Sequence, residues 1–218
     1  MWTKFQTFAR QQAFLGKIHY WLYDKIKLHE KLIDEIISLA EKNGYDSEVL
    51  LNESYSKYGM PITGSLEDEI EHTNIHGWLQ ERIASVESRL AYIVTELLNN
   101  NILKKEDIAD VFNQNGADTM KKLGVNEGSP EDFFNLIFDY MLEGMPCDRV
   151  SEITESNQHK IKWKTTTDLH KAYWGAASGD VNNYHYFRDS WTNGFLSASS
   201  AGYKYVRTED GINIIEEV

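Results

Sequence analysis

The sequence predicts an α+β protein: a helical bundle over residues 1–144, then a small antiparallel ββαββ unit over 145–218, with a helix packed on the sheet and one core shared between the two parts. Three observations lead there. Apolar residues recur at helical spacing through the first two thirds of the chain, as in Leu32, Ile33, Ile36, Ile37 and Ala40. After Gly144 the pattern turns to alternation, clearest in Lys160–Thr165, where Ile161, Trp163 and Thr165 share one face and Lys160, Lys162 and Lys164 the other. Near the chain end, Asp210-Gly211 separates two short alternating runs, which marks a hairpin. Local hairpins imply an antiparallel sheet with helices over one face.

In chain order, residues 3–42 read as helix in two pieces broken near Gly16, because glycine costs about 1 kcal/mol against alanine inside a helix. Asn43-Gly44 supplies the stop. Asp46 or Ser47 caps a short helix that runs to about Lys57 and ends at Tyr58-Gly59-Met60-Pro61. Ser65, with Asp68 at the capping-box position, opens the longest helix. Its Leu79, Ile83, Val86, Leu90, Ile93 and Leu97 form a heptad seam. The expected partner of that seam is the first long helix, in an antiparallel hairpin; the other use is a homodimer. Lys105 to about Lys122 reads as weaker helix, interrupted near Asn115-Gly116. Ser129-Pro130-Glu131-Asp132 starts a helix that carries Phe133, Phe134, Ile137, Phe138 and Met141 inward and ends at Gly144. Strands follow at Val150–Thr154 and Lys160–Thr165, then a helix from Asp180 to about Ser197, then strands at Tyr203–Arg207 and Ile212–Glu216.

Composition narrows the function classes. The formal net charge is -12, which opposes a nucleic-acid partner or an anionic membrane surface, since both need a basic footprint. The one cysteine, Cys147, cannot form an internal disulfide; it follows a helix C-terminus and precedes Asp148, so a small buried residue is expected there rather than a nucleophile. The N-terminus lacks the apolar run of a signal peptide, and no window reaches the ~20 apolar residues of a membrane span. A cytoplasmic protein is the expectation. No phosphate loop, dinucleotide fingerprint or Gly-x-Ser-x-Gly elbow is present, and no cofactor is expected.

The polar corner after the 160–165 strand is the candidate site. Asp168 and His170 are two residues apart, and a carboxylate beside an imidazole can fix its tautomer and raise its basicity. On the next helix Tyr184, Arg188, Trp191 and Phe195 follow 4-3-4 spacing, so one face presents a basic fork among rings. His170 is therefore the expected general base or acid and Asp168 its orienter. Arg188 is the expected clamp for a substrate carboxylate, with Tyr184, Trp191, Trp163 and Thr166 as pocket lining. The plain alternative is that the rings fill the sheet–helix interface and Arg188 saturates a buried acid. A second cluster, Glu69, Glu71, His72 and His76, places Glu69, His72 and His76 at i, i+3 and i+7, a spacing that suits a transition metal if another helix completes the set. His19, His29 and Glu30 are the nearest candidates for that completion, and they form no second Glu-x-x-His; the plain alternative is a solvated acidic turn.

Met145-Pro146-Cys147 enters a strand pair, a helix with Trp191 and Gly194-Phe195 follows, and a hairpin closes the chain. In this order of elements the C-terminal third resembles the L-2-amino-thiazoline-4-carboxylic acid hydrolase-like family, whose members append a small α+β unit to helices. Where that family places a cysteine after the second strand, this chain has Thr165-Thr166-Thr167-Asp168, and where it places another in the closing hairpin stand Tyr205 and Arg207. The resemblance implies a small-molecule hydrolase or binding fold without a cysteine mechanism. The resulting expectation is hydrolase-like acid–base chemistry on a carboxylate-bearing molecule, in a pocket between the C-terminal sheet and the 181–197 helix. The alternatives are a non-catalytic small-ligand or protein-binding module using the same pocket, and a metal-dependent helical-bundle enzyme.

Overall fold

The computed structural model describes residues 15–71 and 73–218, and the expected helix over residues 3–14 lies outside them. The elements are α1 (Lys17–Lys42), α2 (Glu48–Tyr58), α3 (Leu66–Glu69), α4 (Ile75–Asn99), α5 (Lys105–Leu123), α6 (Pro130–Tyr140), β1 (Ser151–Ser156), β2 (Lys160–Thr165), α7 (Lys171–Ala176), α8 (Val181–Ser197), β3 (Tyr203–Arg207) and β4 (Ile212–Glu217). The protein is α+β, with helices first and a four-stranded antiparallel sheet in the order β1-β2-β4-β3 at the end. One apolar cluster runs through both parts, from Leu22 and Ile93 to Trp191 and Ile215.

Helix ends follow the cap chemistry. Gly16 stands at the N-cap of α1, Asn43 ends it, and Gly44 takes the positive φ (87°) that a side chain would resist. At α6 the Ser129 side chain accepts from the Asp132 amide, and Asp132 in turn accepts from the Ser129 amide. The α6 helix stops at Tyr140, four residues before Gly144, because Met141 is already extended (ψ 137°).

The seam of α4 is buried within the single chain: Leu79, Ile83, Val86, Leu90, Ile93 and Leu97 are all at most 2 % exposed. It therefore gives no ground for a homodimer. The expected antiparallel hairpin with α1 is replaced by a parallel pair. His19 meets His76, Tyr23 stacks near Trp78, and Glu30 pairs with Arg89, so both numbers rise together. The reason lies in the connection. Lys27 donates to the Ile62 carbonyl, the Tyr23 hydroxyl to that of Gly64, and the Tyr20 hydroxyl to Glu67. The extended segment thus carries the chain back along α1, and α4 starts again beside its beginning.

The helix expected from Ser65 is two helices. Ser65 caps only α3, Ile70 is extended, and Asn74 starts α4 by accepting from the Gly77 amide at 3.1 Å. The Asn74 side chain takes a local backbone bond, as short polar residues do at a cap, and so begins a new helix.

No interruption occurs in α5 at Asn115-Gly116. Gly116 is there for packing: a Cβ on it would lie 2.2 Å from the Trp191 carbonyl oxygen, and one on Gly194 would lie 2.0 Å from that of Asn113. Two glycines let α5 and α8 approach backbone to backbone. Asn115, 2 % exposed, ties the helices to α1 by donating to Glu35 and accepting from the Trp191 indole.

Sheet alternation continues across strands. Ile161 is opposite Ile215, Trp163 opposite Asn213, and Tyr205 opposite Ile215, all facing the helices. On the other face Lys160 and Lys162 bond Glu155, Lys164 bonds Glu152, and Lys204 bonds Glu216. The lysine row is neutralised by its own sheet. Two details differ from expectation: β1 runs on to Ser156 with a bulge between Ile153 and Glu155, and the stretch before α8 contains the short helix α7.

Candidate functional site

A narrow polar cleft opens at one end of the inner sheet face. Its lining is Thr165 from β2, Arg207 from β3, Asn213 from β4, His185, Arg188 and Asp189 from α8, Asp168 and His170 from the corner, and Glu143. Period-two geometry explains the strand contribution. Thr165 is in phase with Trp163, Arg207 with Tyr205 and Asn213 with Ile215, so all three continue the inner rows past the apolar layer. The internal volume is about 20 Å³, enough for roughly one water molecule.

His170 is not partnered by Asp168. Its Nδ1 lies 3.0 Å from Oε2 of Glu87 on α4, and its Nε2 lies 3.7 Å from Oε2 of Glu143. The ring stacks on Tyr184 with centroids 3.8 Å apart. Burial disfavours the imidazolium, but Glu87 and Glu143 outweigh it and raise the pKa to about 10. A histidine so held carries its proton throughout the neutral range and cannot serve as a general base there. Of the base or acid role expected from sequence, the base is disfavoured, because Glu87 bonds the ring at Nδ1 and Glu143 adds a second negative charge near Nε2.

Asp168 does other work. Its Oδ1 accepts from the amides of His170 and Lys171 at the start of α7, and its Oδ2 lies 2.9 Å from Nε2 of His185. Burial raises the Asp168 carboxyl, yet the His185 hydrogen bond and the nearby histidines bring its pKa below the ordinary value. Burial lowers the His185 pKa, with Asp168 opposing it only in part. His185 is thus a histidine that exchanges its proton at or below neutral pH, with Nε2 fixed by a carboxylate and no protein hydrogen bond to Nδ1 among the described residues. Sequence reasoning passed over it. The available signal was its place three residues before Arg188, on the same side of one helix.

Arg188 is 7 % exposed and donates from Nε to Oε1 of Glu143 at 2.5 Å. Neither terminal nitrogen donates to an acceptor among the described residues, and neither is sealed from solvent. Burial would raise the Glu143 carboxyl, but Arg188 and His170 hold it far below the usual carboxylate range. At the mouth, Arg207 stands 3.7 Å from Asp189, too far for a hydrogen bond. Asp189 accepts instead from the Tyr205 hydroxyl at 2.7 Å.

The remaining expected residues divide. Tyr184 is fully buried beneath His170 rather than on a pocket wall. Trp191 stacks on Phe195 and donates to Asn115, in the α5–α8 core. Trp163 packs edge-on against Phe134 under the sheet. Thr166 is exposed and donates to the Arg149 carbonyl, whereas its neighbour Thr165 lines the cleft. The cleft is therefore walled by polar groups, and the aromatics are core. Glu143, His185, Asp189, Arg207 and Asn213 had not been anticipated in it.

Only part of the candidate metal set falls within the described residues. Glu69 ends α3 and accepts from the Gly64 amide, His76 opens α4, and His72 lies outside the described residues. His76 Nε2 meets His19 Nε2 at 3.2 Å. His19 Nδ1 takes the Gly16 amide, so a neutral His19 carries its hydrogen on Nε2 and donates it to His76 instead of binding a metal there. Among the described residues no three metal-ligating side chains come together. Cys147, expected to be buried, is exposed.

A larger groove of about 560 Å³ lies between α1 and α5, over Leu39 and Val111 with Glu35, Asp107 and Asp110 at its rim. Its lining contains no histidine or cysteine. No helix among the described residues is long and apolar enough to cross a membrane. No family model, curated protein or solved structure matches the chain.

Proposed function

We propose that the cleft is the active site of an enzyme that performs hydrolytic acid–base chemistry on a small carboxylate-bearing molecule. The observation that carries this reading is the His185–Asp168 pair at 2.9 Å, set in one cleft with Arg188. With Asp168 accepting from Nε2–H, neutral His185 presents the Nδ1 lone pair as the base. Asp168 orients the ring and stabilises the imidazolium that forms. Arg188, through its unengaged terminal nitrogens, and Arg207 at the mouth supply cationic groups for the substrate carboxylate. His170 stays protonated and takes no part in proton exchange. The small internal volume means that only the reacting end of a substrate enters, with its body at the mouth.

The competing reading is a module that binds an anion in this cleft without turnover. Its support is the same small volume, which suits a single bound oxygen atom. One experiment separates the two. The full chain is incubated with a panel of carboxylate-bearing amides, lactams and cyclic imines, and hydrolysis is followed by NMR. Turnover that falls by about 10²–10⁴-fold in His185→Gln supports the enzyme. Equal turnover in wild type and variant, or none with any panel member, overturns it.

A further inference from the structure

Behind Arg188 the buried charges of the cleft wall form a chain, of which Glu87, His170 and Glu143 have no part in the proposed reaction. Glu87 bonds His170 Nδ1 at 3.0 Å, His170 Nε2 faces Glu143 Oε2 at 3.7 Å, and Glu143 Oε1 accepts from Arg188 Nε at 2.5 Å. All four side chains are nine-tenths buried, and the two acids balance the two bases. Arginine ordinarily takes a carboxylate with two parallel bonds, because its planar fork matches the two oxygens. Arg188 takes Glu143 with one, through Nε.

The geometry accounts for that departure. The second Glu143 oxygen lies 3.7 Å from Nε2 of His170, a charge contact without a hydrogen bond, and attraction to the imidazolium draws that oxygen away from the fork. A buried imidazolium facing Glu143 alone would compete with Arg188 for a single negative charge. Glu87, reaching from α4, supplies the second charge. We propose that Glu87 and His170 are positioning residues: the His170 charge, anchored by Glu87, attracts the far oxygen of Glu143, so that Arg188 meets Glu143 through Nε alone and keeps its terminal nitrogens for an anionic group of the substrate. The inference rests on the reading of the cleft as a carboxylate-binding active site. It adds that Glu87, from the helical part of the chain, sets the anion affinity of that site from behind the cleft wall.

The test uses the ¹⁵N-labelled full chain and sodium acetate as probe, with NMR of the Arg188 and histidine side chains at pH 7. Wild type is expected to show both ring nitrogens of His170 protonated and a saturable shift of Arg188 on adding acetate. Glu87→Gln keeps the size and one acceptor of the side chain and removes its charge. It is expected to weaken acetate at least tenfold while the amide spectrum away from the cleft is unchanged, a pattern that general loosening does not produce. Arg188→Lys is expected to abolish the saturable response. A singly protonated His170 in wild type, or unchanged acetate affinity in Glu87→Gln, overturns the proposal.

Should Glu87→Gln not fold, wild type itself is measured between pH 9 and 10.5. Lys25, whose charge also interacts with Glu143, has largely discharged by then, its pKa being lowered by burial to about 8. Acetate affinity must then fall as His170 loses its proton, and a constant affinity overturns the proposal. Turnover that persists while the acetate prediction fails removes the positioning role alone. Acetate binding as described, with no turnover on any substrate, removes the enzyme reading alone.

Discussion

Oε2 of Glu87, midway along α4, lies 3.0 Å from Nδ1 of His170, at the entrance to α7, 83 positions later in the chain. This bond fastens the helical part to the sheet-bearing part through two side chains that are nearly solvent-free. It also fixes the protonation of the only histidine that sequence reasoning had placed in a catalytic role.

Stability should depend on that proton. The folded His170 pKa is raised from 6.5 to about 10, so its contribution is complete below 6.5 and is lost as pH rises through about 10. Lys25 acts in the opposite sense, since a pKa lowered from 10.5 to about 8 makes stability rise with pH above 8. Between pH 6.5 and 8 the His170 contribution should fall by roughly 1–2 kcal/mol, while His19, His29 and His185, whose pKa values burial lowers, act in the opposite sense. The His170 term is therefore read as the difference between wild type and His170→Gln in urea unfolding at the two pH values, the variant gaining stability relative to wild type as pH rises.

The Glu30–Arg89 pair between α1 and α4 is buried, with side chains 9 % and 1 % exposed. Removing one partner leaves an uncompensated charge, so Glu30→Gln or Arg89→Met should each cost about 3–5 kcal/mol. Replacing both, as Glu30→Leu with Arg89→Met, should recover most of that loss. A double-mutant cycle by denaturant unfolding gives the coupling directly.

Gly194→Ala is expected to destabilise although alanine is the better helix former by about 1 kcal/mol. The new methyl group would meet the Asn113 carbonyl oxygen at 2.0 Å, and backbone cannot swing aside as a side chain does. A cost of roughly 1–3 kcal/mol or more follows from overpacking. Thermal unfolding of the variant, with Gly175→Ala as a control where a Cβ meets nothing within 4 Å, tests the assignment.

Asp168→Asn should separate the two roles of Asp168. The amide oxygen can still accept from His170 and Lys171, so α7 keeps its start and stability should change by no more than about 1 kcal/mol. The charge that opposes the burial of His185 is lost, so the His185 midpoint should move further down. Histidine ring signals followed through a pH titration report this, and an upward move would refute the geometry of the pair.

Much of the fold was legible. Capping at Ser129 and Asp180, the glycine after Asn43, and the alternation of Lys160–Thr165 are local signals, and each marks the element found. The errors also have local causes. Asn115-Gly116 reads as a helix breaker because propensity knows nothing of a neighbouring helix, and the glycine is explained only by the Trp191 carbonyl above it. Ser65 signals a helix start correctly but says nothing of where that helix stops. The parallel run of α1 and α4 depends on a return segment that bonds to α1 through the carbonyls of Ile62 and Gly64, and sequence does not reveal such bonds.

For the site, the sequence by itself determined the neighbourhood: a corner after β2, and a helix that carries Tyr184, Arg188 and Trp191. Alternation and helical period state which side chains share a face, and both are properties of adjacent residues. Only the tertiary structure decided the roles. Whether a histidine is a base or a fixed cation depends on the charges that reach it and on the water taken from it. For His170 those charges come from Glu87 and Glu143, brought in by separate elements. The spacing of Asp168 and His170 suggested a pair, yet folding turned the carboxylate to His185 and gave His170 to the helical core.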